Sequence, residues 1–168
     1  GTGTVWFDDV SAYGTPTVTC STVEDAPEID GLLSEACWDA GSALSGFRVN
    51  DGSAPDLDTR AWVVGDSESL YFAFHCPRKP GVPLVKTITQ RDGPVWMDDD
   101  VEVFISTSPV RGDYCQFVVN PLGTRYDSRR TDASWNADWT AAARESPDAW
   151  TVEMAIPVSQ LPLELGAG

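Results

Sequence analysis

Nine consecutive residues carry the densest chemistry in the sequence: Pro94-Val95-Trp96-Met97-Asp98-Asp99-Asp100-Val101-Glu102. A Trp in a loop leading into a strand offers a flat apolar surface suited to the C–H face of a pyranose ring. The neighbouring carboxylates accept hydrogen bonds from hydroxyls. The competing reading is a core Trp beneath a solvated acidic loop. Asp98 to Asp100 also carry the oxygens that calcium takes, so calcium is a candidate cofactor, although the Asp-x-Asp-x-Asp-Gly spacing of a calcium loop is absent.

Catalysis is poorly served. A glycosidase needs two carboxyls across a cleft, one of them with a raised pKa. Glu102 has only Asp127 and Glu153 as partners in principle. One histidine and no G-x-S-x-G argue against a nucleophilic triad. That histidine, His75, lies in Leu70-Tyr71-Phe72-Ala73-Phe74-His75-Cys76. It is either a strand residue, packed or at the surface, or an axial haem ligand opposite Met97 or Met154, in which case the haem is non-covalent because no C-x-x-C-H is present. Trp135 and Trp139 lie four apart in a polar, turn-prone stretch, where they form a second stacking surface or pack against a sheet edge.

The whole chain limits the partners. Its 168 residues carry a formal charge of −15. That acidity repels nucleic acid, anionic lipid and acidic glycans. Seven Trp, six Phe and four Tyr exclude a disordered acidic tail. No apolar run approaches the roughly 20 residues that span a bilayer. The first residues have neither the charged nor the apolar region of a signal peptide. Cys20, Cys37, Cys76 and Cys115 permit two disulfides in three connectivities, or four buried thiols. The expectation is an exported, secreted or cell-surface domain, with any signal upstream.

The elements that position these residues are short strands between Gly and Pro punctuation. Thr4 to Phe7 and Thr17 to Cys20 read as opening strands. Thr59 to Val64 and Leu70 to Cys76 form one hairpin, and Val101 to Ser106 and Tyr114 to Asn120 a second around Pro109 to Asp113. Trp150 to Ile156 is a further strand, and only Ser34 to Ala40 and Ser159 to Leu161 look helical. Such spacing means an all-β sandwich or barrel. Alternation turns Val101, Val103 and Ile105 to the core and Glu102 away from it. It separates Cys115, Phe117 and Val119 from Gln116, Val118 and Asn120. If the strands pair, Glu102, Gln116 and Asn120 meet on one polar face suited to hydroxyl-rich ligands.

Five segments in order resemble the family 9 carbohydrate-binding modules and their relatives. They are Ile29-Asp30-Gly31 with Glu35 and Trp38; Thr59-Arg60-Ala61 through Asp66 to Leu70-Tyr71-Phe72; Trp96, Asp99, Val101, Glu102, Val103 and Phe104 in W-x-x-D-x-V-E-[VI]-F; Gln116-Phe117 with Asn120, Gly123 and Asp127; and Trp150-Thr151-Val152-Glu153-Met154-Ala155-Ile156-Pro157. The resemblance covers roughly residues 27 to 163. It implies an antiparallel β-sandwich, related to the jelly-roll and DOMON folds, that binds sugars without transforming them. It makes Trp96 a stacking aromatic and Glu102 a hydroxyl ligand, with Asp99 shaping the loop.

The sequence also departs from the family pattern. Val118 stands where a basic residue can follow Q-F, and Cys76-Pro77-Arg78 stands where an Asp can serve a structural calcium. The chain reaches Gly168 without the later strands and second stacking Trp usual in the family, so the sandwich either lacks its C-terminal strands or uses its opening strands instead. Gly3 to Val10 resembles the closing strand of another jelly-roll carbohydrate-binding module. The division expected is therefore residues 1–14 as a linker or closing strand and 15–168 as the binding domain.

The reading is a domain that anchors an attached polysaccharide-acting enzyme to a neutral poly- or oligosaccharide, through Trp96, Glu102, Gln116, Asn120, Asp99 and Trp135, with adjacent domains of its own chain as further partners. Two alternatives remain. One is a DOMON-like haem domain for electron transfer. The other is a purely structural sandwich, which requires a buried Trp96.

Overall fold

A computed structural model describes residues 19–40, 43–49, 51–106 and 113–161. The opening strand expected at Thr4 to Phe7, half of that at Thr17 to Cys20, most of the turn at Pro109 to Asp113, and the proposed division at residue 14 fall outside them. Eight strands are seen among the described residues: β1 Ser21–Thr22, β2 Arg60–Gly65, β3 Ser69–Pro77, β4 Val101–Ile105, β5 Cys115–Val119, β6 Arg125–Arg129, β7 Thr140–Glu145 and β8 Ala149–Pro157. One short helix, α1 Ala36–Ala40, precedes β2, and 3-10 turns span Val95–Met97 and Val158–Gln160.

The strands form a five-stranded sheet in the order β1-β2-β3-β8-β7 and a three-stranded sheet in the order β4-β5-β6. Both expected hairpins are present, with Trp62 opposite Ala73 and Val103 opposite Phe117. All pairings are antiparallel except β1 with β2, which is parallel and only two residues long. The main core lies between the sheets. Phe72, Phe74, Val152, Met154 and Ile156 from one side meet Val101, Val103, Phe117 and Val119 from the other. The all-β sandwich therefore follows from period-2 alternation on both inner faces.

Two of the hairpin turns are closed by side-chain chemistry. Asp66 Oδ1 accepts from the Glu68 and Ser69 amides at 2.7 and 2.8 Å, and Oδ2 accepts from the Tyr71 hydroxyl at 2.7 Å. Burial and that bond push the Tyr71 phenol up to about 12. The β7–β8 turn is held by Ser146, whose amide and hydroxyl both donate to the Ala149 carbonyl.

The outer face of the five-stranded sheet is covered by the segment from Val23 to Trp38. Trp38, Val64, Tyr71 and Ala73 form its buried cluster, with Val23, Ile29, Leu33 and Cys37 packed on it. Glu153 fastens this cover. It is fully buried and accepts from the Asp30 and Gly31 amides at 3.1 and 2.8 Å and from Trp38 Nε1 at 2.9 Å. Thr151 Oγ1 donates to the Gly31 carbonyl at 2.6 Å, so Gly31 is held from both sides. Its φ of +84° suits only glycine, and a Cβ there would lie 2.9 Å from the Ala143 carbonyl carbon. The Ile-Asp-Gly, Trp and Trp-Thr-Val-Glu segments thus meet in a single latch.

The expected disulfides are not formed: all four cysteines are free thiols. Cys76 and Cys115 are buried in the inter-sheet core, Cys20 packs at its margin, and Cys37 belongs to the cover on the outer face. Burial pushes the Cys76 thiol up to about 12 and that of Cys115 to about 11, so both stay protonated and inert.

Candidate functional site

Residues 78–100 cross from β3 in one sheet to β4 in the other and form a platform beside the outer face of the three-stranded sheet. The platform is tied down along its length. Glu145 pairs with Arg78 and Lys86. The Asp99 amide donates to the Val85 carbonyl at 2.8 Å, and Asp99 Oδ2 accepts from the Val85 amide at 2.7 Å. The Asp92 amide donates to the Arg125 carbonyl at 3.0 Å.

Asp98 is the strongest of these ties. It accepts from the Thr87 amide and hydroxyl at 2.9 Å, and from the Ile88 amide and Asn120 Nδ2 at 2.8 Å. Burial opposes its ionisation, but these donors outweigh burial and hold its carboxyl at about 2. Asn120 is fully buried and completes the tie. Its Nδ2 also donates to the Ile88 carbonyl, while Oδ1 accepts from the Leu122 and Thr124 amides.

The product of this bracing is the turn Val95–Met97. Val95 is wholly buried with Val118 and Tyr126, and Ile88 packs on the same small cluster. Trp96 therefore sits on an apolar footing yet remains 47% exposed, with its ring edge-on to Tyr126 at 4.9 Å between centroids and 76° between planes. Met97 beside it is 68% exposed.

Next to the aromatic turn runs a polar ladder. Gln116 Nε2 donates to Glu102 Oε2 at 2.8 Å, and Ser128 Oγ donates to Gln116 Oε1 at 3.2 Å. The ladder crosses all three strands and leaves Glu102 exposed with further lone pairs free. Asp100, half-buried at its head, is pushed up to about 7, first by burial and then by the charges of Glu102, Asp99 and Asp98. Phe104, two residues beyond Glu102 on β4, is also on this face and 37% exposed.

The six sequence-derived residues separate into three groups. Trp96, Glu102 and Gln116 meet the outer face of one sheet. Asp99 and Asn120 brace the loop instead of facing outward with them; Asn120 belongs beneath the surface because the chain needs its amide to satisfy buried backbone groups. Trp135 does not join the face at all. It packs edge-on to Phe117 at 6.0 Å, and Phe117 belongs to the inter-sheet core. Phe104, Tyr126 and Ser128 were missed. The parity of Phe104 with Glu102 was the available signal, whereas Tyr126 and Ser128 lie on a strand whose polar residues hid it.

Other expectations are overturned by placement. His75 faces outward from β3, opposite Thr151, whereas Met154 faces inward into the core and Met97 ends the 3-10 turn beside the three-stranded sheet. No haem can take His75 with either Met. Asp127 is buried and occupied by Arg91, the Ala137 amide and Trp139 Nε1, so neither it nor the latched Glu153 can partner Glu102 as a catalytic pair. Among the described residues no cluster of His, Cys, Asp or Glu has metal-holding geometry. Asp98 is saturated by donors and Cys76 is a buried thiol, so neither position offers calcium an open oxygen. The structural alternative required a buried Trp96, and Trp96 is exposed.

The sequence matches the family described as carbohydrate family 9 binding domain-like over residues 29–166. Among solved structures, a family 9 carbohydrate-binding module from Caldicellulosiruptor kristjanssonii in complex with cellotriose superposes with a TM-score of 0.61 at 16% identity, covering 85% of this chain and 68% of the other. The same module in complex with glucose gives 0.61 at 16% identity, with coverages of 86% and 70%. A structure from Bacteroides uniformis gives 0.59 at 16% identity, with coverages of 84% and 72%. A comparison with curated proteins finds no match.

Proposed function

The chain belongs to the carbohydrate family 9 binding domain-like family, and from that premise we propose that it binds neutral oligo- or polysaccharide on the outer face of its three-stranded sheet. The observation that carries the reading is the half-exposed Trp96 on its Val95–Tyr126 footing, beside the Glu102–Gln116–Ser128 ladder. The indole takes the C–H face of a sugar ring. Glu102 accepts from two vicinal hydroxyls through the lone pairs that Gln116 leaves free. Gln116, fixed by Ser128, orients that carboxylate.

Binding without bond cleavage is part of the same proposal: the carboxyl nearest Glu102, Asp100, stands two residues before it on the same run of chain and does not face it across a cleft. Stacking contributes about 1 kcal/mol beyond the buried area, and hydroxyls surrender good hydration, so affinity per site is modest. The biological gain comes from tethering: a module fused to a polysaccharide-active enzyme outside the cytoplasm raises the effective concentration of its substrate.

Calorimetric titration with neutral gluco-, xylo- and manno-oligosaccharides, and with oligogalacturonides as the acidic control, tests this. Binding of at least one neutral series with none of the acidic control is expected, because Asp99, Asp100 and Glu102 repel a carboxylate at the site. Silence from every neutral series, or preference for the acidic one, overturns it.

A further inference from the structure

The outer face of the three-stranded sheet holds a second exposed aromatic that the reading above leaves unused. Phe104 stands on β4 opposite Gln116, which stands opposite Ser128, so it flanks the polar ladder directly. Its ring is braced edge-on by Tyr114, with centroids 5.4 Å apart and planes at 68°. Phe104 of this pair is 37% open to solvent and borders hydroxyl-binding groups on a strongly acidic chain.

Register gives the separation of Phe104 from Tyr126, the ring against which Trp96 packs. Trp96 touches Tyr126, and Tyr126 lies opposite Val118, itself opposite Glu102. Phe104 lies two strands across from Tyr126 and one pleat repeat further along. With strands about 4.8 Å apart and residues rising about 3.4 Å, that diagonal is on the order of 12 Å. A single pyranose ring does not span that Tyr126–Phe104 distance, whereas two or three linked rings do.

We propose that Phe104, held by Tyr114, is a second stacking subsite, and that the ligand is a neutral oligosaccharide lying across the strands from Trp96 to Phe104 over the Glu102–Gln116 ladder. This rests on the carbohydrate reading of the face and sharpens it: Trp96 and Glu102 take one unit, and Phe104 supplies the preference for chain length. The face then discriminates oligomer from monomer, with flanking carboxylates excluding uronate-bearing chains.

The experiment titrates the monomer, dimer, trimer and tetramer of whichever neutral series binds into wild type, Phe104→Ala and Phe104→Leu, with thermal melts of each. Wild-type affinity should rise about tenfold from monomer to trimer. Both variants should keep monomer affinity within twofold and lose most of the rise. Phe104→Leu keeps an apolar side chain against Tyr114, so it separates stacking from folding should the Ala variant unfold. Equal affinity for monomer and trimer in wild type, a rise that persists in folded Phe104→Leu, or a parallel loss of monomer binding overturns the subsite while leaving the Trp96 site standing. Absence of binding to any sugar overturns both.

Discussion

The two outer faces of the sandwich use the same residue types to opposite ends. On the five-stranded sheet, Trp38 and Glu153 are buried together: the carboxylate accepts from the indole N–H and two backbone amides, and a wrapped segment seals them from water. On the three-stranded sheet, Trp96 and Glu102 stand open, with Glu102 bonded to one amide side chain and Trp96 resting edge-on against Tyr126. Both pairs belong to the residues by which the sequence resembles its family. One pair holds the fold together and the other is free to meet a ligand, so a matched motif residue is not by that fact a ligand contact.

The sharpest way to break this contrast is to remove the latch. Glu153→Ala leaves the Asp30 and Gly31 amides and the Trp38 indole without acceptors. It should cost at least about 3 kcal/mol, or roughly 6–12 °C in Tm, by calorimetric melting. The same carboxyl gives the comparison a pH dependence. Burial raises Glu153 to about 7 from 4.5, so the folded state binds its proton more tightly than the unfolded chain. The stability it contributes is full below pH 4.5, falls as pH rises from 4.5 to 7, and is level above. Asp100, raised to about 7 as well, adds a slope of the same sign. Melting curves of Glu153→Gln against wild type across this range should therefore show a shallower decline; equal slopes would mean that Glu153 titrates normally.

Gly31→Ala attacks the same latch through the backbone. A positive φ and a 2.9 Å approach to Ala143 should cost about 1–3 kcal/mol in chemical denaturation, with sugar binding by the folded fraction unchanged. Asn120→Ala lies between the two regimes, because it loosens the bracing under the open face. A loss of about 2 kcal/mol is expected. The Asp98 carboxyl, deprived of one donor, should move up from about 2 toward 3.8 when followed by carbon NMR. Glu102→Gln should change stability least, by less than about 0.5 kcal/mol, while sugar affinity drops about tenfold, since a charged acceptor is worth more than a neutral one.

What the sequence revealed follows the same division. The hairpins β2–β3 and β4–β5 and the strand β8 announce themselves by alternating aliphatic and aromatic residues between turn formers. The strand β6 did not, because Arg125-Tyr126-Asp127-Ser128-Arg129 buries polar groups that only the tertiary fold satisfies. β7 did not either: Thr140-Ala141-Ala142-Ala143-Arg144-Glu145 has a single strand-forming residue, Thr140, and is held extended by pairing with β8. Of the site, Glu102 and Gln116 were legible from alternation, and Trp96 from its place in a loop leading into a strand. Asn120 has the correct parity, yet lies just past the end of β5, where the chain turns and draws it inward. Trp135 was ambiguous in sequence because an exposed loop Trp and one capping a core have the same polar neighbours.

One measurement addresses the central claim most directly: calorimetric titration of Trp96→Ala with the neutral oligosaccharide that wild type binds, alongside a thermal melt. Trp96 is half-exposed and merely edge-packed, so Tm should stay within about 3 °C of wild type while affinity falls at least about tenfold. A cooperative unfolding loss comparable to that of Glu153→Ala, or a folded variant with undiminished affinity, would contradict the assignment of the open face to binding and the latched face to the fold.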